Sequence, residues 1–138
     1  MILTNWTLLK EMRSNKMNLG AFSISLNVKN IKKSYDFYQK LGFKIIGGNL
    51  EEKWLILKSN QAVIGLFEGM IEKNTLTFNP GWSQEGKNFD PYDDIRMIYQ
   101  ELNESIPNLQ NGISQDAGPG YIIIEDPDGN PILIDQHR

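Results

Sequence analysis

A five-residue pattern that occurs twice limits the folds open to this chain more than any other feature. Ser23-Ile-Ser-Leu-Asn27 and Thr75-Leu-Thr-Phe-Asn79 share the order hydroxyl, aliphatic, hydroxyl, apolar, Asn, at a spacing of 52 residues. Alternating polar and apolar residues are typical of a strand with one polar and one apolar face. We interpret the two segments as the first strands of two copies of one unit; the alternative is chance similarity between amphipathic strands.

The segments after each copy contain the same order of predicted elements. In the first half, Asn30 can cap a helix that Gly42 ends, with an apolar stripe at Ile31, Tyr35, Tyr38 and Leu41. In the second half, Asp93 or Asp94 caps a helix that Pro107 stops, with a stripe at Ile95, Ile98, Tyr99, Leu102 and Ile106. Further strands are predicted at 43–47, 54–58, 62–67, around Ile113, at 121–125 and at 131–135. The sequence therefore predicts an α+β fold of tandem βαβββ modules.

The last two predicted strands are joined by a tight turn, Asp126-Pro-Asp-Gly-Asn130. Pro127 favours the backbone angle of the first central turn position, and Asp126 can accept hydrogen bonds from the turn backbone. Gly129 can adopt the positive φ that the exit of such a turn requires. These residues predict a hairpin that closes the chain.

A chain of 138 residues suits one domain built from two small modules. We expect module one at about 20–70 and module two at about 73–137, within a domain that spans 18–138. Residues 1–17 form an N-terminal extension, in which Ile2, Trp6 and Leu9 have the spacing of a short amphipathic helix. The alternative is that Met17 is the natural start.

The composition excludes several classes of protein. A net charge of −3 without a basic stripe argues against nucleic-acid binding, and no apolar run is long enough to span a bilayer. The absence of cysteine excludes disulfides and thiolate chemistry, and it agrees with a cytoplasmic protein. The single histidine, His137, excludes a three-His or a two-His-one-carboxylate metal site within one chain.

Three features together resemble the vicinal oxygen chelate superfamily of glyoxalase I, bleomycin-resistance proteins and extradiol dioxygenases. They are the paired βαβββ units, the Ser34-Tyr-Asp-Phe-Tyr38 and Leu41-Gly-Phe43 segments, and the closing turn. The resemblance covers about residues 20–137. It implies that the modules form a curled mixed sheet around a cavity, that the apolar strand faces pack on the helices, and that two chains assemble as a homodimer.

Enzymes of that family bind a divalent metal through His and Glu side chains. The resemblance places those ligands at Ser23, at Thr75 (or at Lys87, if the following loop is aligned instead) and at Leu133, with a counterpart near Gly65. None of these side chains is a metal ligand of normal strength. We therefore predict no metal and no other cofactor, which argues against metal-dependent isomerase, thiol-transferase and dioxygenase activity.

The remaining cavity would offer hydroxyl and amide groups beside aromatic rings, Phe78 among them, and would suit a small, partly aromatic molecule. A solvated sheet face and a plain core are the alternatives for these side chains. The loop 80–92 could cover the core or close the pocket, and we favour the pocket. The predicted ligand-binding residues are Ser23, Ser25, Asn27, Trp54, Phe67, Thr75, Thr77, Asn79, Trp82, Tyr121, Leu133, Asp135 and His137.

Two clusters of ionisable residues have alternative interpretations. Asp135 and His137 lie two apart on the last strand and could act as a base, although a hydrogen-bonded tail explains them as well. Carboxylates at Glu68, Asp90, Asp93 and Asp94 could hold Mg²⁺ or Ca²⁺, although helix capping accounts for the last two.

Three functions therefore stay open. The favoured one is a metal-free protein that sequesters a small molecule, as the bleomycin-resistance branch does. The second is an enzyme related to glyoxalases or dioxygenases that uses Asp135 and His137 or residues of a second chain. The third is a structural or regulatory module with a filled cavity.

Overall fold

The computed structural model describes residues 17–107, 109–114 and 116–138. The N-terminal helix suggested by Ile2, Trp6 and Leu9 lies outside these residues. The described part is an α+β fold, as predicted, in which each βαβββ unit contributes four strands and one helix. The elements are β1 (Ala21–Val28), α1 (Ile31–Lys40), β2 (Lys44–Asn49), β3 (Trp54–Ser59), β4 (Ala62–Glu68), β5 (Thr75–Asn79), α2 (Ile95–Ser105), β6 (Gln110–Ile113), β7 (Gly120–Glu125) and β8 (Pro131–Gln136).

All eight strands form one mixed sheet in the order β2-β3-β4-β1-β5-β8-β7-β6. Within each module the first strand pairs in parallel with the last strand, and the other pairs are antiparallel. The modules join where β1 pairs with β5 in antiparallel, with Ile24 opposite Leu76. These two residues are 52 positions apart, so they occupy equivalent places in the repeat. An approximate twofold axis therefore passes between them, and the sheet stays open with β2 and β6 as its edges.

Each module has its own apolar core between its helix and the sheet. In module one, Ile31 of α1 packs with the buried side chains of Leu55, Leu57 and Leu66. In module two, Ile95 and Ile98 of α2 pack with Ile122 and Ile134. The helical stripes predicted from the sequence therefore point at the sheet, as the 3.6-residue period requires.

An equivalent hydrogen bond ties the first residue of each helix to the last strand of its module. The Ile31 N–H donates to Glu68 Oε1 at 2.9 Å, and the Ile95 N–H donates to Gln136 Oε1 at 2.8 Å. Glu68 and Gln136 are equivalent in the repeat, because β4 and β8 pair with β1 and β5 in the same register. Each bond satisfies an N–H that the helix itself leaves free.

The caps and the closing turn form as the sequence predicts. The Asn30 side chain accepts from the Lys33 N–H, and Asp94, rather than Asp93, caps α2 by accepting from the Arg96 N–H. In the closing turn, Asp126 Oδ1 accepts from the N–H groups of Asp128 and Asn130, both at 2.9 Å, and Gly129 has a φ of +83°. Neither of the two helices in the described residues is long and apolar enough to cross a membrane.

On the face of the sheet that carries the helices, called the outer face here, one part differs from the expectation that all apolar strand residues pack on the helices. Leu26 and Val28 do so, but Phe22 and Ile24 each remain 37% exposed. The reason is that α1 packs mainly on β4, and α2 on β7 and β8, so neither helix covers the β1–β5 junction. There the Phe22 ring instead contacts the Phe78 ring, with centroids 5.1 Å apart.

Candidate ligand-binding site

A cavity of about 770 Å³ lies on the face of the sheet opposite the helices. Its floor is formed by β1 and β5, one wall by β2, β3 and β4 of module one, and the other wall by β8 alone. Part of the loop between β5 and α2 lines it as well. The cavity therefore lies to one side of the approximate twofold axis, toward module one.

The floor carries the repeated polar pattern. Its members are Ser23, Ser25, Thr75, Thr77 and Asn79. Ser25 Oγ and Thr77 Oγ1 are hydrogen-bonded at 2.7 Å, and both residues are only 8% exposed. The Asn79 amide donates to the Asp135 carbonyl at 2.9 Å, which connects β5 to β8 by a side chain as well as by the ladder.

The module-one wall is largely apolar. It is formed by Ile46, Trp54, Ile56, Val63 and Phe67, with Lys58 at its edge. The Phe67 ring lies over Gly65, where an added Cβ would come within 2.6 Å of Phe67 Cε2. Gly65 precedes Phe67 by two positions on the same strand face. Because Gly65 has no side chain, the Phe67 ring can lie against the wall there.

The loop at residues 80–92 folds back over the cavity, as the favoured alternative predicted. The Gln84 side chain accepts from the Phe22 N–H at 2.8 Å and donates to the carbonyls of Phe22 (2.6 Å) and Gln61 (2.9 Å). It thereby connects the loop to β1 and to the β3–β4 turn. Trp82 lines the cavity, and its indole N–H donates to Asn88 Oδ1 at 3.0 Å.

His137 lies at the end of β8 and packs against this loop. Its ring is stacked on the Trp82 indole, with centroids 4.7 Å apart and planes 9° from parallel. His137 Nε2 lies 3.3 Å from Asp135 Oδ2. The Asp135 carboxylate raises the pKa of His137 above its ordinary value, and partial burial opposes this effect only in part.

Arg138 fixes the base of the loop. Its guanidinium donates to the carbonyls of Gly81 (3.3 Å) and Phe89 (3.2 Å) and forms an ion pair with Asp90 at 3.2 Å. The same group lies 4.2 Å from the centre of the Tyr92 ring, within cation–π range. The last residues of the chain therefore set the position of the loop.

The cavity brings together all the residues predicted to bind a ligand except Asn27 and Tyr121. Asn27 lies near the end of β1, where its amide donates to the Glu72 carbonyl at 3.4 Å. Tyr121 is on the cavity side of β7, opposite Asp135, but it is 41% exposed beyond the wall that β8 forms. Phe78 points to the other face. Binding itself stays a prediction for the residues that line the cavity.

The four carboxylates considered for Mg²⁺ or Ca²⁺ have separate partners. Hydrogen bonds from the Ile31 N–H and the Lys53 ammonium lower the pKa of Glu68. Asp90 pairs with Arg138, Asp93 accepts from the Asn18 N–H, and Asp94 caps α2. At Asp94, partial burial by itself would raise the pKa of the carboxyl. The hydrogen bonds from Arg96 and Gln136 outweigh this effect of burial, so the pKa of Asp94 is lowered.

Sequence reasoning did not find several residues of the site. Gln84, Glu85 and Gly86 lie in an irregular loop, which has no periodicity that could assign a direction to its side chains. Ile46, Ile56, Lys58 and Val63 were predicted only as strand residues. For Ile56, Lys58 and Val63 the alternation along β3 and β4 was the available signal, because it places them on the same face as Trp54 and Phe67.

The positions at which family enzymes hold a metal do not suit one here. Ser23 and Thr75 lie on the floor and Leu133 beside it, while Lys87 is exposed on the loop outside the cavity. The register supports this alignment, because Ser25 pairs with Gly65 as Thr77 pairs with Leu133. Neutral hydroxyls and an aliphatic side chain are poor ligands for a transition metal. Within the described residues, no three His, Asp or Glu side chains are grouped so that they could hold an ion.

The comparisons with known proteins agree with this architecture. Residues 20–134 match the model of the Glyoxalase/Bleomycin resistance protein/Dioxygenase superfamily. The chain therefore belongs to this superfamily, and the resemblance seen in the sequence is confirmed. We found no match among curated proteins.

Solved structures of other proteins share the fold, and two of them illustrate it. A glyoxalase/bleomycin resistance protein/dioxygenase superfamily member from Vibrio splendidus is 19% identical, over 83% of this chain and 97% of that chain, with a TM-score of 0.59. A protein described as an NAD-dependent benzaldehyde dehydrogenase from Legionella pneumophila is 18% identical, over 85% of this chain and 99% of that chain, with a TM-score of 0.62. A bleomycin-binding protein in complex with bleomycin is 17% identical over 83% and 95%, but its TM-score of 0.31 is too low for a comparison of sites.

Proposed function

We propose that this protein binds a small, partly aromatic organic molecule in the cavity and does so without a metal, which would sequester that molecule. The observation that carries the proposal is the cavity itself, about 770 Å³ in volume, with an apolar aromatic wall and a hydroxyl and amide floor. Such a volume and lining suit a drug-sized ligand, because rings supply contact area and a few polar groups orient the ligand. The side chains at the positions of the family's metal ligands support the proposal that binding requires no metal.

A thermal-shift screen of aromatic small molecules tests this proposal. A ligand present at 100 times its dissociation constant stabilises the protein by about 2.7 kcal/mol, so hits are readily seen. We expect Leu133→Trp, which fills the cavity, to abolish the shift. Met97→Trp adds the same side chain on the exposed surface of α2, where Met97 is 56% exposed, and should leave the shift intact.

Metal content gives a separate test. We expect less than about a tenth of an equivalent of transition metal per chain by elemental analysis, and an unfolding temperature that a chelator does not change. One tightly held equivalent per chain, released together with stability, would contradict the metal-free proposal. A screen without hits would instead favour the structural or regulatory module.

An enzyme is the second candidate, because an imidazole and a carboxylate meet inside the cavity. Asp135 and His137 are 3.3 Å apart, and such a pair can move a proton at a bound ligand. This candidate predicts that a ligand found by the screen is converted to product, and that His137→Gln stops conversion while binding persists. Mass spectrometry of the ligand after incubation distinguishes turnover from storage.

We also infer a homodimer, as the family resemblance implies. The apolar centre of the helix-bearing face, which neither α1 nor α2 covers and where Phe22 and Ile24 are each 37% exposed, supports it because a second chain could bury these side chains. Sedimentation equilibrium should give twice the chain mass, and Ile24→Lys should shift the equilibrium to monomer. A monomer at all concentrations would contradict this inference.

A further inference from the structure

Trp82, Asp135 and His137 meet at the end of the cavity formed by β8 and the 80–92 loop. The imidazole lies parallel to the indole, with centroids 4.7 Å apart, and one imidazole nitrogen lies 3.3 Å from the carboxylate. The three side chains thus present an aromatic face and a charged oxygen side by side. None of them occupies a position that the family's metal ligands would occupy.

The position of each group is fixed by contacts outside the cluster. The Trp82 N–H donates to Asn88 Oδ1 at 3.0 Å, and the Asp135 carbonyl accepts from the Asn79 amide at 2.9 Å. The residue after His137 is Arg138, whose guanidinium donates to the carbonyls of Gly81 and Phe89. A ligand that meets this cluster does not have to order it, which lowers the entropy cost of binding.

The cluster has unused binding capacity. The indole covers one face of the imidazole, yet the His137 side chain is still 46% exposed and lines the cavity. The Asp135 side chain is 32% exposed, and its Oδ1 makes no hydrogen bond within the described part of the chain. A second aromatic ring can therefore stack on the imidazole, and a neighbouring N–H or O–H can donate to the carboxylate.

We propose that Trp82, His137 and Asp135 form a subsite for a planar conjugated ring that carries an N–H or O–H donor on its edge. The ring stacks on the imidazole face while the donor hydrogen-bonds to Asp135. This inference rests on the proposed function and narrows it, because it names the chemical group by which the ligand is selected. A saturated ring loses the stacking, and a ring without an edge donor leaves the carboxylate unpaired.

Two matched compounds test the subsite, namely quinolin-2(1H)-one and 1-methylquinolin-2-one, which differ by one methyl group in place of the N–H. We expect calorimetric titration of the full chain to show the N–H compound binding about tenfold more tightly, because only this compound can donate a hydrogen bond to the charged carboxylate. Asp135→Ala should reduce this preference to less than about twofold. His137→Leu should weaken both compounds by a similar factor, because it removes the stacking face.

Asp128→Ala is the matched control, since it removes a carboxylate from the exposed closing turn. Near-ultraviolet circular dichroism of each variant confirms that the fold is kept. Equal affinity of the two compounds, or a preference that survives Asp135→Ala, overturns the subsite and leaves cavity binding standing. Failure of both compounds while the screen finds other cavity ligands also overturns the subsite, whereas failure of the screen as well overturns the proposed function too.

Discussion

Ser25 Oγ and Thr77 Oγ1 form a 2.7 Å hydrogen bond between residues that occupy the same position in the two modules. The bond crosses the approximate twofold axis at the floor of the cavity, and both residues are 8% exposed. Because each hydroxyl is the other's partner, the two modules satisfy a buried polar pair that neither could satisfy alone. Both modules therefore contribute to the floor of the cavity.

This pair should show strong energetic coupling. Ser25→Ala or Thr77→Val alone leaves a buried hydroxyl without its partner and should lower the free energy of unfolding by about 1–2 kcal/mol. The double variant removes both groups and should lose less than the sum of the single variants. Urea denaturation measures all three, and additive losses would contradict the predicted coupling.

Substitution between Glu and Gln should change stability by different amounts at the equivalent positions Glu68 and Gln136. Gln136 is fully buried, and its amide donates to Asp94 Oδ2 (3.0 Å) and to the carbonyls of Gly118 (3.1 Å) and Arg138 (2.9 Å). Gln136→Glu removes these donors and places a carboxylate beside Asp94, so we expect a loss of about 3 kcal/mol or more. Glu68→Gln keeps the acceptor for Ile31 and loses only a surface ion pair, so the urea midpoint should hardly move. Similar midpoints for both variants would contradict this.

The single histidine allows its titration to be followed by one proton resonance. The Asp135 carboxylate raises the pKa of His137, so the midpoint should lie above the ordinary value of about 6.5. The stabilising ion pair is therefore complete below that ordinary value and is lost as the pH rises through the folded-state pKa. Asp135→Asn should lower the midpoint, whereas Asp128→Asn should not; an unchanged midpoint in Asp135→Asn would disprove the pairing.

Much of this architecture follows from local chemistry. Asn30 and Asp94 act as caps, and Asp126 with Gly129 forms the closing turn, because each of these roles depends on neighbouring backbone atoms. The internal repeat could be recognised in the sequence, because the alternation of polar and apolar residues in a strand depends only on their spacing. The same alternation put Ser23, Ser25, Thr75 and Thr77 on the polar strand faces, and the family resemblance implied that these faces line the cavity.

The residues whose surroundings were not predicted correctly lie where the two modules differ. Tyr121 was predicted to line the cavity as one of its aromatic surfaces, and the pairings of β3 and β7 make it the counterpart of Trp54. The cavity covers only the module-one side, so equivalent positions have different surroundings. Gln136 was missed although it ends β8 as Glu68 ends β4, since a polar residue at a strand end suggests exposure rather than burial.

The Gln84 side chain is predicted to hold the 80–92 loop against the sheet. Gln84→Leu removes the partners of the Phe22 backbone and of the Gln61 carbonyl, so the loop should open more often. Hydrogen exchange of the segment 80–92 should accelerate roughly five- to tenfold, which corresponds to a loss of about 1–1.4 kcal/mol. Gln100→Leu, on the exposed side of α2, is the control; equal exchange in both variants would show that Gln84 does not hold the loop.

The loop at 80–92 makes the two halves of the repeat unequal. A repeated unit offers two similar concave faces in principle, and the loop between β5 and α2 lines the one beside module one. On the other half, among the described residues, Tyr121 and Ile123 are 41% and 37% exposed. The proposed ligand cavity is therefore built around one half of the repeat, which predicts one bound molecule per chain.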